Sequence, residues 1–196
     1  MERFSFWAQP WWVNLLILIP PTAFWLCRTK GLPLPRRQLL WLALFAVAFG
    51  FVEAAVVIYL RAATGLLPGY HGTLADVQRA APEFYQQAQT LRDFPQSLLT
   101  VEVCREAATI LMLITVALLA ASTVRARGAA FLWAFAIWDI TYYAGLWLAV
   151  RWPASFKDLD VLFLIPVPWM APVWFPILVS VLTIAAVILS AARRSA

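Results

Sequence analysis

Two cysteines and a single histidine are all that 196 residues offer to soft-metal or redox chemistry. The lone His71 falls in a loop, which excludes a histidine-rich metal centre or a bis-histidine haem built from this chain. Cys27 ends the first apolar run and Cys104 lies about two turns into the third, near opposite membrane faces, so a disulfide between them is excluded on distance. Charge is scarce too. Only 13% of residues are Asp, Glu, Lys or Arg, against roughly 25% in soluble domains. There is no Gly-rich phosphate loop, no motif of a serine, cysteine or zinc hydrolase, and no Glu-x-x-His pair of the kind di-iron carboxylate sites use. No internal repeat supports an inverted-repeat transporter. The net charge of +5 is spread over short loops and the termini rather than gathered into a basic groove, so no nucleic-acid partner is expected.

Apolar sequence is what remains. The chain is 63% hydrophobic, with a mean hydropathy of +0.78 and eleven Trp, many near run ends where amphipathic rings favour the headgroup region of a bilayer. The pattern predicts an all-α, polytopic membrane bundle forming one integral membrane domain over 1–196. Five spans are expected, at about 6–27, 38–60, 97–123, 129–150 and 173–192, each long enough for a hydrocarbon core of roughly 30 Å. The leading segment has Glu2 and Arg3 cancelling and no small-x-small cleavage site before Arg28, so it reads as a retained first span rather than a signal peptide. Pro20-Pro21 is expected to kink it or end it early. Residues 61–96 are the one sizeable extramembrane stretch, with helix-start signals at Thr73 and Pro82-Glu83, and are predicted to form a helical cap. Val124-Arg-Ala-Arg-Gly128 reads as a tight basic turn that makes the third and fourth spans antiparallel neighbours. Val161 to Pro172 is apolar but short and rich in proline. Irregular backbone at membrane depth survives only when buried in protein or lining a cavity, so a re-entrant or interfacial segment is expected there.

With the N-terminus outside, Arg28, Lys30, Arg36, Arg37, Arg125, Arg127, Arg193 and Arg194 lie on the cytoplasmic side. Arg3, Arg61, Arg79, Arg92, Arg151 and Lys157 lie outside. The cytoplasmic charges sit in the short loops, where the positive-inside rule is strongest, so N-out and C-in is the expected orientation.

Against that apolar background a few ionisable residues stand out. Glu102, Arg105 and Glu106 lie in the third span, Glu53 in the second and Asp139 in the fourth. Intramembrane charges are costly, face bundle interiors or wet cavities, and are functional candidates by default. From the outer span ends, Glu53 lies about 10 Å deep, Glu102 about 8 Å, Glu106 about 14 Å and Asp139 about 16 Å. Phase agrees with depth. Glu102, Arg105, Glu106 and Thr109 share one helix face, Asp139, Tyr142, Tyr143 and Leu146 another, and Ala46, Gly50, Glu53 and Val57 a third whose small residues permit close helix approach. One buried, outward-facing site is therefore expected. Its catalytic candidates are Glu53, Glu106 and Asp139, and its ligand-binding candidates are Glu102, Arg105, Tyr142, Tyr143, Asp160 and Trp169.

Four of these acids against one arginine leave three negative charges if all ionise, which a low-dielectric site cannot hold unrelieved. Protonation, a water-filled vestibule or a bound cation would each relieve it. Glu53, Glu102, Glu106 and Asp139 would suit a hard cation such as Mg²⁺, Ca²⁺ or Mn²⁺ better than zinc or copper. The plainer alternative is that Arg105 with Glu102 or Glu106 is only a structural ion pair, that Tyr142 and Tyr143 are packing aromatics, and that Trp169 belongs to a packing lid.

Trp138-Asp139-x-x-Tyr142-Tyr143, then Trp152-Pro153-x-Ser155, then Asp160-x-Leu-Phe-Leu-Ile-Pro166-x-Pro168-Trp169-x-x-Pro172-Val173, resembles a family of small bacterial multi-pass membrane proteins of uncharacterised function. The resemblance implies a bacterial inner membrane and carries over no catalytic residue. Trp169-Met-Ala-Pro-Val-Trp-Phe-Pro176 is similar to the Pro-and-Trp motif of the tryptophan-rich sensory proteins, but theirs lies early in the chain and the acids here have no counterpart in them. The residues lead to a pocket that binds a cation or small polar ligand, one version being an enzyme on a lipid-borne substrate. The alternatives are an accessory subunit whose buried charges pair with a membrane-protein partner, and a proton- or ion-coupled transporter completed by homo-oligomerisation.

Overall fold

The computed structural model describes residues 6–30, 34–63 and 96–192, with side chains at 6–25, 34–60 and 97–190. Nearly all of the cap expected over 61–96, including His71, lies outside these residues, as do the Cys27 side chain and many of the basic residues counted for orientation.

The described chain is mostly helical, with a small sheet. A 3-10 segment, Trp11–Leu18, leads into α1 (Ile19–Lys30). Next come α2 (Arg36–Ala63), α3 (Gln96–Ala120), α4 (Val124–Val150), the strands β1 (Leu159–Phe163) and β2 (Trp169–Pro172), and α5 (Trp174–Ala192). Three stretches are long and apolar enough to cross a membrane: Arg36–Leu60, Ser97–Ala120 and Val124–Val150. Trp11–Trp25 and Trp174–Ser190 are shorter apolar helices, so three membrane-crossing candidates stand among the described residues.

Proline explains the shape of the first helix. Pro20 has no N–H to give the Leu16 carbonyl four residues back, and the Ile19 N–H takes that carbonyl instead. This i to i+3 bond closes the 3-10 segment at its C-terminal end. Pro20 and Pro21 then occupy the first turn of α1, where missing N–H groups cost nothing. The helix continues through the proline pair.

Helix α4 is the central element, with 50% of its most apolar window buried against 22% for α3. It packs on α2, α3 and α5, and α1 packs on α5. The α2–α4 approach depends on glycine. A Cβ at Gly50 would lie 2.6 Å from the Trp138 carbonyl oxygen, and one at Gly145 would lie 2.9 Å from the Ala54 Cβ. The small-residue face expected on the second span is thus the one buried: Ala46, Glu53 and Val57 are each 5% exposed or less. Large apolar side chains such as Trp41, Leu44, Phe51, Leu111, Leu119 and Leu189 are exposed on the outside of the bundle, the distribution a lipid surround requires.

Two sequence expectations are corrected. The basic stretch from Val124 to Gly128 is already helical, and the turn is Ala121 to Thr123. Thr123 caps α4 by accepting from the Ala126 N–H at 3.3 Å. Arg127 Nε donates to the Ala121 carbonyl at 2.9 Å, capping the end of α3, where a cation also suits the helix dipole. The second correction is to the all-α fold. The Pro-rich stretch is a β-hairpin, antiparallel with Leu159 opposite Pro172, Asp160 opposite Ala171 and Val161 opposite Met170. Its register shifts between Val161 and Phe163. Gln9 extends it, exchanging two 2.7 Å backbone bonds with Met170. Pro166 and Pro168 lie in the connecting turn, where no ladder N–H is needed. Backbone that cannot be a helix is thereby hydrogen-bonded within the protein.

Candidate functional site

The site begins with one turn of α3. Residues Glu102, Arg105, Glu106 and Thr109 recur at helical spacing and all turn towards α2, α4 and the hairpin. Arg105 grips Glu102 in a fork, Nε to Oε1 at 3.0 Å and Nη2 to Oε2 at 2.8 Å. Its Nη1 pairs with Glu53 Oε1 of α2. Thr109 Oγ1 donates to the other Glu53 oxygen at 3.0 Å. Glu53 is therefore held on both oxygens, and one guanidinium serves two carboxylates.

Glu106 turns elsewhere. Its Oε2 accepts the backbone N–H of Leu164 at 2.7 Å, tying α3 to the hairpin just past β1. On α4, Asp139 Oδ2 accepts from Ser180 Oγ of α5 at 2.8 Å. Tyr143, a turn further on, donates to Asp160 Oδ2 of β1 at 2.6 Å. Glu53, Glu106, Asp139 and Asp160 are 5, 7, 8 and 1% exposed. Each of these buried carboxylates has a donor from a different element, as buried polar groups require.

These groups line one cavity of about 700 Å³ between α2, α3, α4, the hairpin, α5 and the 3-10 segment. Every one of the nine candidates (Glu53, Glu102, Arg105, Glu106, Asp139, Tyr142, Tyr143, Asp160 and Trp169) lies on its wall. The remaining wall is largely aliphatic and aromatic. Trp138 stacks on Tyr142 at 6.1 Å, Phe135 on Phe163 at 6.3 Å, and Trp169 meets Phe163 edge-on at 5.5 Å.

The four acids considered as a cation site are brought into one cavity but not into one coordination shell. Among the described residues no group of three or more His, Cys, Asp or Glu is placed to hold a metal ion. The hydrogen bonds explain why. Glu53 and Glu102 close on Arg105, while Glu106 and Asp139 are drawn off to Leu164 and Ser180. The arrangement resolves Arg105 as a partner of carboxylates rather than a free anion-binding group. Cys104 is free and exposed on α3, off the cavity wall.

Three contributors escape a reading of the charged residues alone: Thr109 as a donor, Ser180, and the Leu164 N–H. For Ser180 a signal existed. Ser180, Thr183 and Val187 recur at helical spacing, all buried on one face of α5, and small hydroxyl residues inside apolar helices mark interhelical contacts. The Leu164 N–H had no signal, because a backbone donor has no sequence signature.

No protein-family model, no curated protein and no solved structure matches this chain. The class that fold and site define is therefore the coarse one: a mostly helical protein, three of whose helices are long and apolar enough to cross a membrane, with an acid-lined cavity.

Proposed function

We propose that this protein is a five-span bacterial inner-membrane protein, N-terminus outside, whose cavity binds the polar part of a bilayer-borne amphiphile. The observation that carries the reading is the cavity's composition: buried carboxylates and hydroxyls from five elements in a wall that is otherwise apolar. Its volume lies within the roughly 300–1,000 Å³ typical of small-molecule sites. A freely hydrated ion would gain nothing from the aromatic wall, and a wholly apolar molecule would leave the carboxylates unmatched. An amphiphile uses both. The two shorter helices supply the remaining crossings in this reading, and the resemblance to small bacterial multi-pass proteins supports the compartment.

In the catalytic version of this function the acid–base groups are Glu106 and Asp139. Each has one oxygen engaged by a neutral donor, and Glu106 also lies within the field of the Arg105 guanidinium. Glu53 is held by Arg105 and Thr109 and positions the cluster instead. General acid–base work needs a carboxyl that can reach a substrate atom, and only the first two keep that freedom.

Native mass spectrometry of the protein released directly from membranes tests the reading. The wild type is expected to carry a bound lipid-soluble molecule, and Val179→Trp, which fills the cavity from α5, is expected to lose it. A wild type that never carries such a molecule, and whose melting temperature no amphiphile raises, would sink the proposal.

A further inference from the structure

The acids gather in one half of the bundle, and the far end of the same helices is a different surface. Helices α2 and α4 run parallel and begin at the same level. Their contacts advance together along both, from the Trp133 Nε1 bond to the Leu39 carbonyl, through Gly50 against Trp138, to Ala54 against Gly145. The first turn of α2 therefore lies beside the α3–α4 turn at 121–123.

That end is basic. Arg36 and Arg37 open α2, Arg125 and Arg127 lie near the start of α4, and neither helix has an acidic residue in its first turn. This is the reverse of what a helix dipole favours, since negative charge stabilises its N-terminal end. Glu53, Glu102, Glu106 and Asp139 lie about 18 Å or more further along the helices.

The basic end also encloses space. A cleft of about 520 Å³ lies between the start of α2 and the α3–α4 turn, and its lining includes Gln38, Leu119, Ser122, Thr123 and Arg127. Arg127 uses Nε on the Ala121 carbonyl, which orients the guanidinium. Its Nη atoms, the Gln38 amide and the Ser122 hydroxyl have no partner among the described residues. Arg36 and Arg125 engage other groups, so Arg127 and the exposed Arg37 are the guanidinium groups available here.

Apolar surface borders these donors. Trp41, one turn beyond Gln38 on α2, is 57% exposed, and Leu119 is 84% exposed. A helix that crosses a bilayer has its ends at headgroup level, and α2, α3 and α4 are the helices long and apolar enough to do so. A phospholipid has both parts that such a surface can use, a polar head and apolar chains.

We infer that this cleft binds the headgroup of an anionic phospholipid, with its phosphate on Arg127, Ser122 and Gln38 and its acyl chains against Leu119 and Trp41. A phosphate diester presents acceptors to guanidinium, amide and hydroxyl donors. Basic pockets between membrane helices bind such headgroups. The bound charge also offsets two helix N-terminal ends whose first turns carry arginine. The inference depends on α2, α3 and α4 crossing a bilayer and is independent of the ligand proposed for the acid-lined cavity.

The test begins with the full chain in nanodiscs of phosphatidylcholine, with and without phosphatidylglycerol, and follows amide exchange by mass spectrometry. Phosphatidylglycerol is expected to slow exchange about five-fold or more in peptides covering 34–38 and 121–125. Residues 151–157, exposed or flanked by exposed residues at the opposite end of α4, are expected to exchange as before. Native mass spectrometry in mixed micelles then gives affinities. The wild type should retain phosphatidylglycerol at a half-saturating concentration about ten-fold or more below that of phosphatidylcholine, without competition from millimolar inorganic phosphate. Arg127→Gln should raise the phosphatidylglycerol value about five-fold, and Arg151→Gln should leave it unchanged. Equal half-saturation for the two lipids overturns the inference. So does equal protection at both ends of the bundle, or an equal effect of the two variants, because the attraction is then diffuse charge rather than a site. Displacement by inorganic phosphate overturns it as well, since the cleft would then hold the free ion. The wild-type measurements need no variant, so misfolding of Arg127→Gln cannot obscure them.

Discussion

Replacing Arg105 by Met keeps the length and apolar stem of the side chain and removes the charge. Glu53 would then keep only the Thr109 hydroxyl, inside a helix interface where its side chain is 7% exposed. Breaking a buried ion pair from one side costs about 3–5 kcal/mol, because the surviving charge stays desolvated and uncompensated. The Arg105 side chain is 20% exposed and that of Glu102 is 13% exposed, so water reaches part of the cluster and the lower end, about 3 kcal/mol, is expected. Adding Glu53→Gln should recover most of that loss, since an amide keeps the Thr109 bond and has no charge to strand. The assay is equilibrium unfolding in mixed micelles with increasing SDS, followed by circular dichroism, on the wild type, both single variants and the double variant. Strong non-additivity, with the double variant more stable than Arg105→Met alone, is the expected signature of a coupled pair. A midpoint for Arg105→Met equal to that of the wild type would refute the argument, as would simple additivity of the two losses.

Three further outcomes follow from the same geometry. Gly50→Val should destabilise the bundle by about 1–3 kcal/mol or more, because the added Cβ would meet a backbone oxygen at 2.6 Å rather than a movable side chain; unchanged unfolding would mean α2 and α4 are not packed this closely. Tyr143→Phe leaves Asp160, 1% exposed, without its 2.6 Å donor, and is expected to cost about 1–3 kcal/mol in the same assay. Glu106→Ala removes the acceptor of the Leu164 N–H, so exchange of that amide should speed by about ten-fold, while amides within α4 keep their wild-type protection.

Much of this molecule could be read in advance, for identifiable reasons. Helix α2 was legible because its apolar run and its small-residue face are local patterns of one helix. The pocket was legible because charges are so costly in apolar helices that few are present, and those few mark the place where helices enclose a polar space. Glu53, Glu106 and Asp139 share a wall because depth and phase along a rigid helix are fixed by its rise and turn. Other features were not legible. The start of α4 is not legible because a basic stretch suits a turn and a helix start equally, and the Thr123 cap decides between them only through its geometry. The hairpin is not legible because proline argues against helix without arguing for strand, and one of its backbone bridges is to Gln9, far away in the chain.

The sequence by itself determined that the chain has helices long and apolar enough to cross a membrane, and which acids interrupt them, because hydropathy and helical phase are properties of neighbouring residues. Only the tertiary structure decided what each acid does. A carboxylate's role depends on the donors that reach it, and here those donors come from distant segments: Arg105 and Thr109 for Glu53, the Leu164 N–H for Glu106, Ser180 for Asp139 and Tyr143 for Asp160. Spacing along the chain places four acids at similar depth, where a shared cation is one remedy for their charge. The folded chain instead divides them, neutralising Arg105 with two and leaving two open to the cavity, since hydrogen bonds over a few ångströms outweigh the even sharing that a charge count implies.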